Sequence, residues 1–229
     1  IIMRGHHTNL IKPRSSMETI VTEIIKTTKD SDTPFYTEKM ISAMIKRKGG
    51  MAMIYTEQEM EHSGAMQTAA RMCTAARTAP KTRHIDGIHT LVVTGEEKEE
   101  LAQKMEEFGK AHFKDDWQHW YGRDAQNVRV ADAVVLVGVE KSYRGLQHCD
   151  FCDFGDCHNC KTSGGNCAYI YVDLGIAISS AAIIAQQDLV DTRIYASIGK
   201  AASEMPYGQD YKWLGIALSV SGKNPFFDR

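Results

Sequence analysis

The chain has no surplus of charge of either sign. Lys and Arg number 27 against 29 Asp and Glu, a net charge of −2, which removes the basic footprint of a nucleic-acid binder. It also lacks a long hydrophobic run. The longest uncharged stretch, Leu174 to Gln187, is 14 residues with two serines and two glutamines, too short and too polar to span a bilayer and better read as a buried helix. The opening residues, IIMRGHHTNLIKPRSS, hold no apolar core of signal-peptide length and no small-residue cleavage site. These absences point to a cytoplasmic protein with neither a nucleic-acid nor a membrane partner. No repeat or low-complexity segment is present. Nor is there a Ser-His-Asp order, an HExxH, a Walker loop or a dinucleotide fingerprint, so the common hydrolase and nucleotide-binding chemistries are left without a signature.

What the chain does have is length for a real core, 229 residues with 43% hydrophobic side chains. Residues 1–52 stand apart as a helical extension. Ile20, Val21, Ile24 and Ile25 recur at helical spacing, as do Met40, Ile41, Met44 and Ile45, with a turn at Asp32-Thr33-Pro34 between them. Both helices read as core-facing, and the His6-His7 pair as solvated. The chain begins with Ile; Met51 and Met53 are candidate natural starts.

From Glu57 the pattern becomes regular. A helix to Arg77 carries Ala69, Ala70, Cys73 and Ala76, small enough for close packing, and Pro80 ends it. Cys73 reads there as a buried apolar side chain. A strand follows over Gly87 to Thr94, and Thr94-Gly95-Glu96-Glu97 forms a capping box for the next helix. The run AVVLVGV at Ala133 to Val139 is a strand covered on both faces. After a cysteine loop come the apolar helix from Cys167 to about Gln187, a short strand near Ile194 and a last strand in Leu214 to Val220. The expected architecture is α+β, three layers in the order α/β/α. Between them, His112, Phe113, Trp117, His119, Trp120 and Tyr121 read as packing at a core edge rather than a stacking site. Asp173, inside the apolar helix, reads as its wet side, the alternative being a buried acid.

Six cysteines are present, and five fall between Cys149 and Cys167. Thiols clustered in a reducing compartment bind metal more often than they pair as disulfides. Three ligand sets compete. Cys149-x2-Cys152 and Cys157-x2-Cys160 resemble a zinc knuckle with a short gap. Cys152-x4-Cys157-x2-Cys160 has the local spacing of a two-iron ferredoxin without its distant fourth cysteine. Cys149, Cys152, Cys157 and Cys167 would hold a four-iron cluster and leave Cys160 spare. Iron–sulfur is preferred over zinc, and zinc over a disulfide knot. His148 and His158 flank the site as outer or exposed residues. Asp150, Asp153 and Asp156 surround it with negative charge, which would lower a cluster's reduction potential unless water screens them.

Three stretches carry a resemblance: ARTAPK at Ala76 to Lys81 with VVTGEEKEELA after it, the CxxCxxxxC loop leading into CAYIYVDLGIAISSA, and the terminal LGIALSVSGKNPFFDR. From about Met53 to Arg229 the chain resembles the family of uncharacterised bacterial and archaeal proteins that contain a ferredoxin domain. The family pattern, CxxCxxxxC and then a cysteine before the apolar helix, implies Cys149, Cys152, Cys157 and Cys167 as ligands of a four-iron cluster, with Cys160 extra. Family members tend to have Gly after the first two cysteines, where this chain has Asp150 and Asp153. More distantly, the order of elements resembles the flavin-dependent nitroreductase fold. That resemblance implies a homodimer holding FMN at the subunit interface, with Arg77, Lys81, Lys223 and Arg229 as candidate phosphate cations. Together the two resemblances imply an iron–sulfur oxidoreductase or electron-transfer protein with a low-potential partner, the alternative being a non-catalytic protein with a structural zinc site.

Overall fold

The computed structural model describes residues 54–227. The two helices expected within residues 1–52, the His6-His7 pair, the candidate starts Met51 and Met53, and Arg229 lie outside the described residues.

In chain order the helices are α1 (Glu57–Thr78), α2 (Gly95–Phe113), α3 (Tyr121–Val130), α4 (Cys157–Thr162), α5 (Ala168–Gln187) and α6 (Ala196–Ala202). The strands are β1 (Ile88–Val93), β2 (Ala133–Glu140), β3 (Asp191–Tyr195) and β4 (Tyr211–Ser219). They form one sheet in the order β1-β2-β4-β3, every neighbour antiparallel.

Up to its last residue, Glu140, the central strand β2 has no polar positions, and its packing shows why. Val135, Val137 and Val139 face a core closed by α1 and α5, through Ala69, Met72, Ala76, Ile170 and Leu174. Val134 and Leu136, one residue out of phase, face a second core closed by α2, α3 and α6, through Leu101, Met105, Val128 and Ile198. Alternate side chains on a strand point to opposite faces, so a strand between two cores must be apolar throughout. The architecture is therefore α+β in three layers.

Some local features differ from the sequence reading. Thr94 is the N-cap of α2 but makes no side-chain cap bond, and Gly95 has φ +58°. The chain turns left-handed one residue after the cap, so the hydroxyl is not presented to the first free N–H groups. The capping box stands at α1 instead. Thr56 accepts from the Glu59 N–H at 3.3 Å, and the Glu59 carboxylate accepts from the Thr56 N–H at 2.8 Å. The apolar helix stands where the sequence places it, with Asp173 inside it. Ala168–Gln187 is, among the described residues, a 20-residue helix that by length and composition is long and apolar enough to cross a membrane. Here it packs on α1 and the sheet. The aromatic stretch packs at the edge of the second core, with Phe108 and Phe113 5.1 and 5.3 Å from Tyr121.

Candidate metal centre

The cysteines occupy the long connection between β2 and α5, interrupted only by the short helix α4. His148, Asp150, Asp153, Gly155 and Gly164 there all have positive φ. Asp is among the few side chains that tolerate this conformation. The backbone thus accounts for glycine after the first two cysteines in the resembled pattern, and for aspartate as its substitute. Two aspartates also organise the loop. Asp150 accepts from the Gly155 N–H, and Asp156 is the N-cap of α4, accepting from the Asn159 N–H at 2.8 Å.

Cys149, Cys152, Cys157 and Cys167 line one narrow cavity together with Asp150, Phe151, Asp156 and Tyr169. Its free space is about 10 Å³, room for a single water. The Phe151 and Tyr169 rings lie 4.9 Å apart beside it. Asp150, Phe151 and Asp156 are exposed, so added room would come from moving surface loop rather than core. Cys160 is fully buried. Burial, with Cys152, Cys167 and Cys157 close by, pushes the Cys160 thiol up to about 11. His148 and His158 are exposed and do not line the cavity. Among the described residues no three His, Cys, Asp or Glu side chains converge on one point as a single metal ion requires.

The ends of this loop are tied to the first core by charge. Asp173 of α5 is fully buried, and so is Arg144, which leads into the cysteines, at 1% exposure. Arg144 Nε and Nη2 donate to Asp173 Oδ2 at 3.0 and 2.7 Å. The N–H and hydroxyl of Thr82 both donate to Oδ1 at 2.9 Å. Arg83 Nη1 donates to the Arg144 carbonyl at 2.7 Å, and the Tyr143 hydroxyl to the Gly165 carbonyl at 2.8 Å. Asp173 is therefore a buried, paired acid and not the wet side of its helix. A buried carboxylate needs such partners to remain ionised.

The expected phosphate cations are not gathered in this way. Arg77 donates to the Ile88 carbonyl at 2.7 Å and pairs with Asp86 at 3.1 Å. Lys81 donates to the carbonyls of Ala76, Arg77 and Ala79 at the end of α1. Lys81 serves the negative end of α1, while Arg77, in the last turn of that helix, ties it to β1. Lys223 is exposed in the segment after β4. Arg77 also borders an open groove of about 450 Å³ with Cys73, Thr74, Thr78, His89 and Thr90. Cys73 is thus half-exposed rather than a wholly buried side chain. Partial burial pushes its thiol up, against a hydrogen bond with Thr90.

Comparison with known proteins places this chain among uncharacterised relatives. The profile described as "Uncharacterized protein containing a ferredoxin domain (DUF2148)" matches residues 163–229, a span that holds Cys167 and the last two strands. An uncharacterised protein of Archaeoglobus fulgidus is 36% identical over 185 residues, 77% of this chain and 98% of that protein. Among solved structures, the chain is similar to a BluB-like flavoprotein from Clostridium difficile at 16% identity and TM-score 0.48, over 80% of this chain and 90% of that one. It is also similar to a nitroreductase with bound FMN from Desulfitobacterium hafniense at 16% identity and TM-score 0.46, over 76% and 82%.

Proposed function

The chain belongs to the family of uncharacterised proteins containing a ferredoxin domain, and from that premise we propose that it is an iron–sulfur redox protein. The observation that carries the reading is the lining of one cavity by four thiols, those of Cys149, Cys152, Cys157 and Cys167. Soft anionic donors in that number suit a four-iron cluster. The ferredoxin domain of the family supports iron–sulfur over zinc. Such a cluster supplies the exchange of single electrons. The chain's own part is to hold it with four thiolates, to pin the loop through Arg144 and Asp173, and to set the charge around it. The partner is a low-potential electron donor or acceptor. Arg77 and Lys81 remain the candidate cations for a flavin phosphate, each also engaged with a backbone carbonyl.

Anaerobic purification tests the reading. A brown protein with iron and sulfide, whose broad absorption dithionite bleaches, is the expected result. A colourless protein holding one zinc per chain would end it. Replacing Cys149 with alanine is expected to lower bound iron about tenfold or more.

The acidic surroundings make a second expectation. The combined variant Asp150→Asn, Asp153→Gly, Asp156→Asn keeps the acceptor for the Gly155 N–H and the cap of α4, since asparagine serves both roles. It removes three negative charges from the loop. An electron added to a less anionic centre costs less, so the reduction potential should rise in an anaerobic titration. An unchanged potential would mean that water screens these carboxylates fully.

A further inference from the structure

The strand order β1-β2-β4-β3 leaves β1 at an edge of the sheet. The Glu140 N–H donates to the Gly87 carbonyl at 3.1 Å, one step before the Ile88–Val139 pair. Bonded and unbonded pairs alternate along an antiparallel ladder. His89, Leu91 and Val93 therefore bond to β2, while Ile88, Thr90 and Val92 turn their N–H and C=O groups outward. Ile88 fits this phase, since its N–H donates to Asp86 Oδ1 at 3.1 Å and its carbonyl accepts from Arg77 at 2.7 Å. The outward backbone groups of Thr90 and Val92 have no partner among the described residues. Leu91 and Val92 are each 37% exposed. The strand, IHTLVV, carries no Lys, Arg, Asp, Glu or Pro, and its register runs without a bulge. The usual devices that blunt a free edge are missing from it.

We propose that this edge joins two copies of the chain, β1 to β1 and antiparallel, about a two-fold axis at Leu91. In that register Thr90 of each copy faces Val92 of the other, so every outward N–H and C=O of the two residues is bonded. Leu91 then meets Leu91 on one face of the joined sheet, and Thr90 meets Val92 on the other, as cross-strand pairs that hold neighbouring strands together. A second copy is the occupant because the edge complements itself in charge. Before β1, Arg77, Lys81 and Arg83 outnumber Asp86; after it, Glu96, Glu97 and Glu100 outnumber Lys98. Antiparallel pairing carries the basic end of each strand towards the acidic end of the other. The inference is independent of the iron–sulfur reading. It assigns the surface, whereas the fold resemblance implied a homodimer without saying which strands or helices form it.

Sedimentation velocity of the full chain over a concentration series tests the proposal, with circular dichroism to check that each variant is folded. The wild type should be a dimer. Val92→Pro removes one outward N–H and none of the bonds to β2. Leu91→Lys sets two like charges opposite each other at the axis. Each should raise the dissociation constant about tenfold or more. Val172→Lys, on the exposed side of α5, should leave it unchanged. Hydrogen exchange of the wild type gives a reading that needs no variant: the Thr90 and Val92 amides should exchange more slowly as concentration rises. A monomeric wild type, or edge amides indifferent to concentration, would overturn the proposal and leave β1 open to an extended segment of some other chain. A dimer that survives Val92→Pro and Leu91→Lys but is lost in Val172→Lys would overturn it too, by moving the interface to α5.

Discussion

Replacing Asp173 with asparagine is expected to lower the unfolding free energy by about 3–5 kcal/mol. The carboxylate is fully buried and accepts four hydrogen bonds, two from Thr82 and two from Arg144. Asparagine keeps one acceptor oxygen and turns an NH₂ towards donors. More costly still, it leaves the Arg144 guanidinium buried at 1% exposure without a counter-charge. Arg144→Met should cost a similar amount, because the Asp173 carboxylate then keeps only the two Thr82 bonds. The two losses should not add. In Arg144→Met/Asp173→Leu no buried charge is left over, and such apolar replacements of a buried pair are often close to neutral. Urea unfolding of the four proteins, all in the metal-free form, compares these costs. A cost below about 1 kcal/mol for Asp173→Asn would show that the pair does not fasten the fold.

This pair also shows where the sequence stopped being informative. The strand at Ala133 to Val139, the helix after Cys167 and the grouping of the cysteines are each local patterns, and each is visible in a window of a few residues. The three-layer order follows from them, because a strand without polar positions demands cover on both sides. The Arg144–Asp173 contact joins a loop to a helix 29 residues away, and no periodicity encodes it. Its one trace is the acid itself, set in an apolar helix on the side that carries Ile170 and Ala177 into the core. An acid on a buried face has to be paired, and that rule outweighs the habit of reading a charge as a wet surface. The helix ends were harder. Thr56 and Thr94 both precede a Glu three positions on, yet only Thr56 builds the box, since Gly95 bends the chain after Thr94. Lys81 serves the carbonyls at the end of α1, as a basic residue after a helix does, while Arg77 reaches the Ile88 carbonyl of β1. In the cysteine loop, spacing left several ligand sets open, because which sulfurs share a cavity depends on the left-handed turns at Asp150 and Asp153.

On the opposite face of the sheet, Gly199→Ala should be as damaging as the loss of Asp173, for a steric rather than an electrostatic reason. Here α6 lies directly on β4. A Cβ at Gly199 would stand 1.8 Å from the Trp213 carbonyl oxygen, 2.4 Å from its carbonyl carbon and 3.0 Å from the Leu214 Cα. All three are backbone atoms, so no side-chain rotation relieves the contact. The strand answers with its own glycine, because Ile198 fills the space that a Cβ at Gly215 would need, 2.2 Å from its Cγ2. To admit alanine, α6 must lift from β4 and uncover Ile198, Ala201 and Ala202, all fully buried. Over-packing against a fixed backbone belongs at the upper end of such costs, about 3 kcal/mol. Gly175→Ala is the contrasting case. Gly175 lies within α5 with no atom inside 4 Å of its would-be Cβ, so alanine there should stabilise by about 0.5–1 kcal/mol through helix propensity. Thermal unfolding of the two variants should shift in opposite directions. A Gly199→Ala protein within about 1 kcal/mol of the wild type would show that α6 does not need this close approach. Because α6 closes the second core while Cys167 and α5 belong to the first, the molecules of Gly199→Ala that remain folded should load iron and sulfide as the wild type does. Stability and metal loading are thus expected to separate across the two faces of one sheet.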